Sequence, residues 1–192
     1  MDSVCDTLID HDWLIVENRK LKNVIADLRA QIRVLEILSD SDPLVPLPNR
    51  RAFVREVDRA IGAAARHRTP SALLFVDIDG LKRMNDAHGH SAGDAMLIHV
   101  AQRLKRCVRA GDMVARIGGD EFALLLDQAD EAAARVKAAA IAADLALHSL
   151  SVGGTAIAIA LSIGIAIIHR DDTPESVIAR ADAAMYAQRS ER

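Results

Sequence analysis

Leucines recur every seven residues near the start of the chain, at Leu14, Leu21, Leu28 and Leu35, with Asn18, Ile25 and Ile32 four residues after the first three. The spacing predicts one amphipathic helix over 12–38. With the leucines at heptad position d, Asn18, Ile25 and Ile32 fall at a. Ile at a with Leu at d favours two parallel strands, and a single Asn at a fixes their register. Glu17 and Lys22 then stand where they can meet across such a dimer. The competing reading is a helix that lays the same stripe on its own domain. Residues 39–48 (SDSDPLVPLP) end the helix, because three prolines and paired Ser/Asp cannot continue it, and they read as a hinge.

Helical and strand periods then alternate. Residues 49–67 predict a helix with Phe53, Val57 and Ile61 on one face. Residues 71–78 (SALLFVDI) predict a buried strand, and 91–108 a helix with Met96, Leu97, Val100 and Leu104 at helical spacing. Short strands at 113–117 and 121–126 flank Gly118-Gly119, read as a two-residue hairpin turn that tolerates positive φ. An Ala-rich helix follows at 130–147. Strands at 150–153 and 155–168 flank Gly153-Gly154. A last helix spans 174–189, with Pro174 suited to its first turn. This order predicts an α+β fold with a partly antiparallel sheet rather than a doubly wound one.

Composition narrows the function classes. The 192 residues are 51% hydrophobic and 27% charged, enough for one domain with a real core plus a short appendage. A net charge of −3 supplies no bulk positive field, and 3% aromatics no stacking platform, so no nucleic-acid partner is expected. The longest apolar run, 156–168, is too short to span a bilayer and carries Ser162 and Gly164, so no membrane partner is expected. Cys5 and Cys107 form neither a disulfide framework nor a zinc pattern. With no basic flank before an apolar stretch at the N-terminus, a cytoplasmic location is the expectation.

Three stretches carry candidate chemistry. The strand end VDID delivers Asp77 and Asp79 where ligands gather in such sheets. The two carboxylates are read as pointing to opposite faces, one into a pocket and one bracing the loop. Gly80-Leu81-Lys82 follows, a loop of backbone N–H groups and a cation that can cradle phosphate. In RIGGDEF (116–122), Asp120 and Glu121 sit side by side after a turn whose glycines, Gly118 and Gly119, let a ligand approach the backbone. Adjacent carboxylates repel, a divalent cation resolves the repulsion, and Asp77 could complete the set. A charge-rich solvent-facing turn is the bland reading. In NDAHGHSAGD (85–94), Asn85 offers a donor and an acceptor and Asp94 two acceptors, which together can satisfy a guanine edge. His88 and His90 have neither a nearby cysteine nor the spacing of a zinc site.

Together these residues resemble the GGDEF-domain family of diguanylate cyclases. The resemblance covers about residues 40–190 and rests on DPLVPLPNRRAF (42–53), DIDGLKRMNDAHGHSAGD (77–94), RIGGDEF (116–122), LSIGIA (161–166) and ADAAMY (181–186), in the family's order. It implies a fold similar to the palm of adenylyl cyclases and polymerases, a ferredoxin-like central mixed sheet flanked by helices. It divides the chain into an N-terminal helix (1–41), read as a parallel dimeric coiled coil, and a catalytic domain (42–192). The implied reaction condenses two GTP into cyclic di-GMP and two pyrophosphates across a homodimer, with Mg²⁺ or Mn²⁺, two per active site. A low-activity GTP- or cyclic di-GMP-binding module acting through its coiled coil is the alternative.

By the same resemblance Asp77, Asp120 and Glu121 bind metal through carboxylates and Ile78 through its carbonyl. Asp120 accepts the 3′-hydroxyl proton, and Glu121 supports metal and triphosphate. Lys82 stabilises phosphate charge with the Gly80 and Leu81 N–H groups, Asn85 and Asp94 read guanine, and Arg116 belongs to the framework. Arg109 and Asp112 match the family's RxxD inhibitory motif, which implies product inhibition. Arg135 is the candidate for that site's further arginine. Val45-Pro46 replace the usual Thr-Gly, and Gly80 a usual bulky residue. Arg189 stands in for a phosphate-binding lysine, and Arg192 falls one position short of the usual arginine. The length leaves no room for a built-in sensor.

Overall fold

The structure, a computed structural model, describes residues 13–29, 31, 40–67 and 69–190. The chain divides into two compact units, Met1–Ser39 and Asp40–Arg192. In the first, residues 13–29 form helix α1. Leu14, Leu21, Ile25 and Leu28 leave about half their surface open to solvent. The predicted heptad positions Ile32 and Leu35 lie outside the described residues.

In the second unit a proline-rich turn precedes helix α2 (Arg50–His67). The turn is packed rather than loose. Val45 and Leu47 are buried in the core, and Asp42 N–H donates to the Leu47 carbonyl at 2.9 Å. Asn49 Oδ1 accepts from Ala52 N–H at 3.2 Å and caps α2. Strand β1 (Ala72–Asp79) leads into α3 (Leu81–His88) and α4 (His90–Cys107). Then come β2 (Met113–Arg116), β3 (Glu121–Leu126) and α5 (Glu131–Leu147), the last capped by Asp130 accepting from Ala133 N–H. Strands β4 (Leu150–Val152), β5 (Thr155–Ile157) and β6 (Ala160–Ile167) precede α6 (Pro174–Ser190). At α6, Thr173 and Ser176 exchange side-chain and backbone hydrogen bonds as a capping box.

The main sheet has the order β2-β3-β1-β6 and is antiparallel at every pairing, so the expected mixed sheet is corrected. The β2–β3 hairpin inserts β3 between β1 and β2, so each strand meets a neighbour running the other way. The single strand expected over 155–168 is two. The chain turns at Gly153 and Gly154 (φ 56° and 84°), pairs β4 with β5, anchors Ile159 in the core and only then joins β1 as β6. The Gly118-Gly119 turn uses no positive φ, contrary to expectation. It is a longer loop, closed by Ile117 and Gly118 N–H groups on the Glu121 carbonyl.

Strand alternation splits the core in two. Leu74, Val76, Ile78, Phe122, Leu124 and Leu161 face α4 and α5. Leu73, Phe75, Ala123, Leu125 and Ala166 face α2 and α6. Gly164 permits the α6 side: a β-carbon there would lie 2.0 Å from the Ala181 carbonyl oxygen. No described helix is long and apolar enough to cross a membrane.

Candidate functional site

The β1–β3 ladder pairs Asp77 directly with Glu121, and β1–β6 pairs Asp77 with Ser162. These residues continue the α2/α6 face beyond the apolar ones, so the acids converge at the C-terminal end of β1. Asp79 belongs to this face too, and the expectation of opposite faces for Asp77 and Asp79 is corrected. A strand's period of two returns residues two apart to one side. Ser162 Oγ donates to Asp79 Oδ1 at 2.8 Å. Ser162 was not singled out as a site residue from the sequence, although a lone serine in the apolar LSIGIA run was a readable signal.

Asp77 is only 4% exposed. Burial, then the Asp120 charge, push its carboxyl up to about 6, and Arg189 opposes them. Arg189 Nη1 donates to Asp77 Oδ1 at 2.8 Å. Burial also raises Glu121, with Asp120 and Asp182 adding to it and Arg50 opposing. Ile78 turns its side chain into the opposite core face, which leaves its backbone carbonyl as the group it can offer. Hard oxygen donors crowded together, with burial disfavouring their charge, fit a divalent cation. Among the described residues no three acidic, His or Cys side chains form a ready-made metal cluster. A hard divalent cation that takes one or two carboxylates would draw its other ligands from phosphate and water.

The predicted phosphate loop is the N-terminus of α3. Gly80 caps it at φ 86°, a left-handed conformation that explains glycine there, and no side chain caps the helix. The first-turn N–H groups, with Leu81 and Lys82, border a cavity of about 370 Å³. Asp79, Arg83, Asp120, Ser162 and Arg189 complete its lining. Gly118 and Gly119 do not line it. Their carbonyls accept from Arg116 (3.0 and 2.8 Å), whose Nη1 also reaches Asp42 at 3.1 Å. Arg116 thereby staples the loop before Asp120 to the proline-rich turn, a framework role.

The stretch 85–94 is two helices broken at Gly89, not a tight loop. Asn85 on α3 packs against Gly93 of α4, next to exposed Asp94. Asn85 Oδ1 is buried without a hydrogen-bond partner. The oxygen lies against the bare Gly93 surface, an unused acceptor in the free chain.

Arg109 and Asp112 meet at the turn before β2. Asp112, almost fully enclosed, accepts from the N–H groups of Arg109 and Asp127, both at 3.2 Å. The Arg109 guanidinium reaches Asp112 and the Asp127 carbonyl. Arg135 does not join them. It pairs with Glu131 and lines a groove on β6, at the sheet edge opposite β2. Arg192 lies outside the described residues.

Comparison with known proteins gives a consistent result. The family model described as "Diguanylate cyclase, GGDEF domain" matches residues 39–192. The chain is 43% identical over 148 residues to the diguanylate cyclase TpbB of Pseudomonas aeruginosa (strain UCBPP-PA14), covering 76% of this chain and 34% of TpbB. It is 40% identical over 155 residues to the bifunctional diguanylate cyclase/cyclic di-GMP phosphodiesterase MucR of P. aeruginosa, covering 80% of this chain and 22% of MucR. The chain thus spans about a third or less of these relatives' length. The crystal structure of the coiled coil and GGDEF domain of DgcB from Caulobacter crescentus in complex with c-di-GMP superposes with a TM-score of 0.78 at 29% identity. That likeness covers 93% of this chain and 95% of DgcB's.

Proposed function

The chain belongs to the GGDEF-domain family of diguanylate cyclases, and from that premise we propose that it condenses two GTP into cyclic di-GMP and two pyrophosphates across a homodimer. The observation that carries the reading is the meeting of buried Asp77 with Glu121 beside Asp120, which itself lines a cavity bordered by the uncapped α3 N-terminus. Carboxylates for a cation and N–H groups for an anion stand together there, as a nucleoside triphosphate requires.

In this reading the α3 N–H groups and Lys82 hold the phosphates, and Arg189 reaches them from α6. Asn85 Oδ1 accepts from the guanine edge and Asp94 reads its N–H groups. Each ribose 3′-oxygen forms a bond to the α-phosphorus of the other nucleotide. The α–β bridging P–O bond breaks, pyrophosphate leaves with the electron pair, and the 3′-hydroxyl proton passes to Asp120. Divalent cations, Mg²⁺ or Mn²⁺ and two per site, held by Asp77, Asp120, Glu121 and the Ile78 carbonyl, would supply neutralisation of the triphosphate charge. One domain carries half of this machinery, so a dimer completes it. The open heptad stripe of α1 and the likeness to a coiled-coil GGDEF structure support α1 as the dimer device.

The test is product analysis with GTP and Mg²⁺, wild type beside Asp120→Ala. Cyclic di-GMP from the wild type and its loss in the variant are expected; no product from the wild type sinks the reading. Arg109 and Asp112 are the proposed product-inhibition site. Asp112 is enclosed and holds backbone N–H groups, while Arg109, bonded to Asp112 and the Asp127 carbonyl, is mostly exposed and is the side a ligand can reach. Arg109→Ala should raise steady-state product, and unchanged inhibition by added cyclic di-GMP would remove this role.

A further inference from the structure

The last turn of α6 is held in place, and its final arginine reaches from it to Asp77. Close approach at Gly164 seats α6 on β6, and Gln188 Oε1 accepts from Ile163 N–H at 2.7 Å, tying the helix end to the sheet edge. Arg189 follows immediately. Its guanidinium donates to enclosed Asp77, while about half of its own side chain stays in solvent. The same guanidinium lines the cavity that holds Lys82 and the α3 N-terminus. One half-exposed cation therefore stands between a buried carboxylate and an anion cradle.

Taking Asp77 as the metal ligand of the proposed cyclase, we propose that Arg189 is the resident counter-cation of Asp77 in the nucleotide-free chain, weakening metal binding there until the triphosphate draws it off. A guanidinium and a divalent cation repel at short range, so one carboxylate oxygen does not serve both at once. With α6 anchored, the exchange needs only side-chain rotation. Binding linkage then makes the effect reciprocal: whatever removes Arg189 from Asp77 strengthens metal binding, and metal on Asp77 sends Arg189 to the phosphates. Arg189 is thus a positioning residue that joins two binding events into one.

The experiment titrates the nucleotide-free full chain with Mn²⁺ and reads free Mn²⁺ by electron paramagnetic resonance. Arg189→Gln should bind Mn²⁺ about tenfold more tightly than wild type, the size of one charge-assisted hydrogen bond removed. Arg189→Lys, whose ammonium can still reach toward Asp77, should fall back toward wild type. Adding Asp77→Asn to Arg189→Gln should abolish the gain. Circular dichroism melts establish that each variant is folded, and Arg189→Ala serves if the Gln variant is not. Equal Mn²⁺ affinity in wild type and Arg189→Gln overturns the proposal, as does a gain that survives Asp77→Asn. If equal affinity accompanies cyclic di-GMP synthesis by wild type, this inference alone fails. An Arg189-dependent gain without product sinks the cyclase reading and leaves the inference standing.

Discussion

A β-carbon on Gly93 would lie 2.0 Å from Asn85 Oδ1. The bare Gly93 surface lets that oxygen be buried, and its lack of a partner means the free chain carries an acceptor it does not use. Burying an unsatisfied polar group costs about 1–3 kcal/mol. Asn85→Ala should therefore leave the melting temperature of the ligand-free protein unchanged or raised, while weakening GTP binding. Gly93→Ala should displace Asn85 and weaken GTP binding by about tenfold, one lost hydrogen bond. Thermal melts beside calorimetric titration separate the two effects. An Asn85→Ala protein that loses stability as it loses GTP would make the carboxamide structural.

Asp77 and Asp172 should give opposite pH slopes. Asp77 is raised from its ordinary 3.8 to about 6, so between about 4 and 6 the folded chain holds the proton more tightly than the unfolded. Its contribution makes stability fall as pH rises through that window. The hydrogen bond from Arg180, opposed by burial and helped by His169 N–H and Ser176, holds the Asp172 carboxyl below the ordinary range. Its contribution is present above about 4 and lost as pH falls. Asp77→Asn should flatten the first slope and Asp172→Asn the second in melts without metal. Mg²⁺ should raise the melting temperature at neutral pH and not at pH about 4, where Asp77 is protonated.

The periods made much of this legible. Phe53, Val57 and Ile61 signalled α2, and the apolar run before Asp77 signalled β1, because burial writes a repeat into sequence. The acids were legible as adjacent carboxylates that repel. Pairing was not. That Glu121 faces Asp77 follows from a register set by a hairpin and a crossover, neither of which is a local pattern. The divide between β5 and β6 was hidden inside one apolar run, since Ile159 is apolar for the core's sake and not a strand's. The Asn85–Gly93 contact needed two helices to meet, and a glycine inside a helical pattern reads locally as a loop.

Gly164 and Gly119 are predicted to separate packing from chemistry. At Gly164 the neighbours of an added β-carbon are backbone, Ala181 O at 2.0 Å and Met185 N at 2.3 Å, and neither can rotate away. Gly164→Ala should lose about 1–3 kcal/mol by urea unfolding as α6 lifts from β6. At Gly119 nothing lies within 4 Å and φ is ordinary. Gly119→Ala should keep wild-type stability, and if the glycine serves ligand approach, product formation should fall nonetheless. Stability and activity falling together at Gly119 would make it a folding residue.

The α1 stripe provides the last prediction. Leu21 and Leu28 are 54% and 52% exposed, with Ile25 between them on the same face. An apolar row at seven-residue spacing that stays open along a helix is the surface a second copy would cover. A half-site reaction gives that surface a purpose, because product then needs two domains and its rate per chain depends on how many are paired. Replacing Leu21 and Leu28 by polar residues should shift sedimentation from dimer toward monomer. Specific activity should drop at low protein concentration and recover at high concentration, where mass action restores encounters. The buried core of the second unit is built from its own residues, so its melting temperature should not move. Activity independent of concentration in the variant, with an unchanged sedimentation coefficient, would leave α1 without a part in assembly.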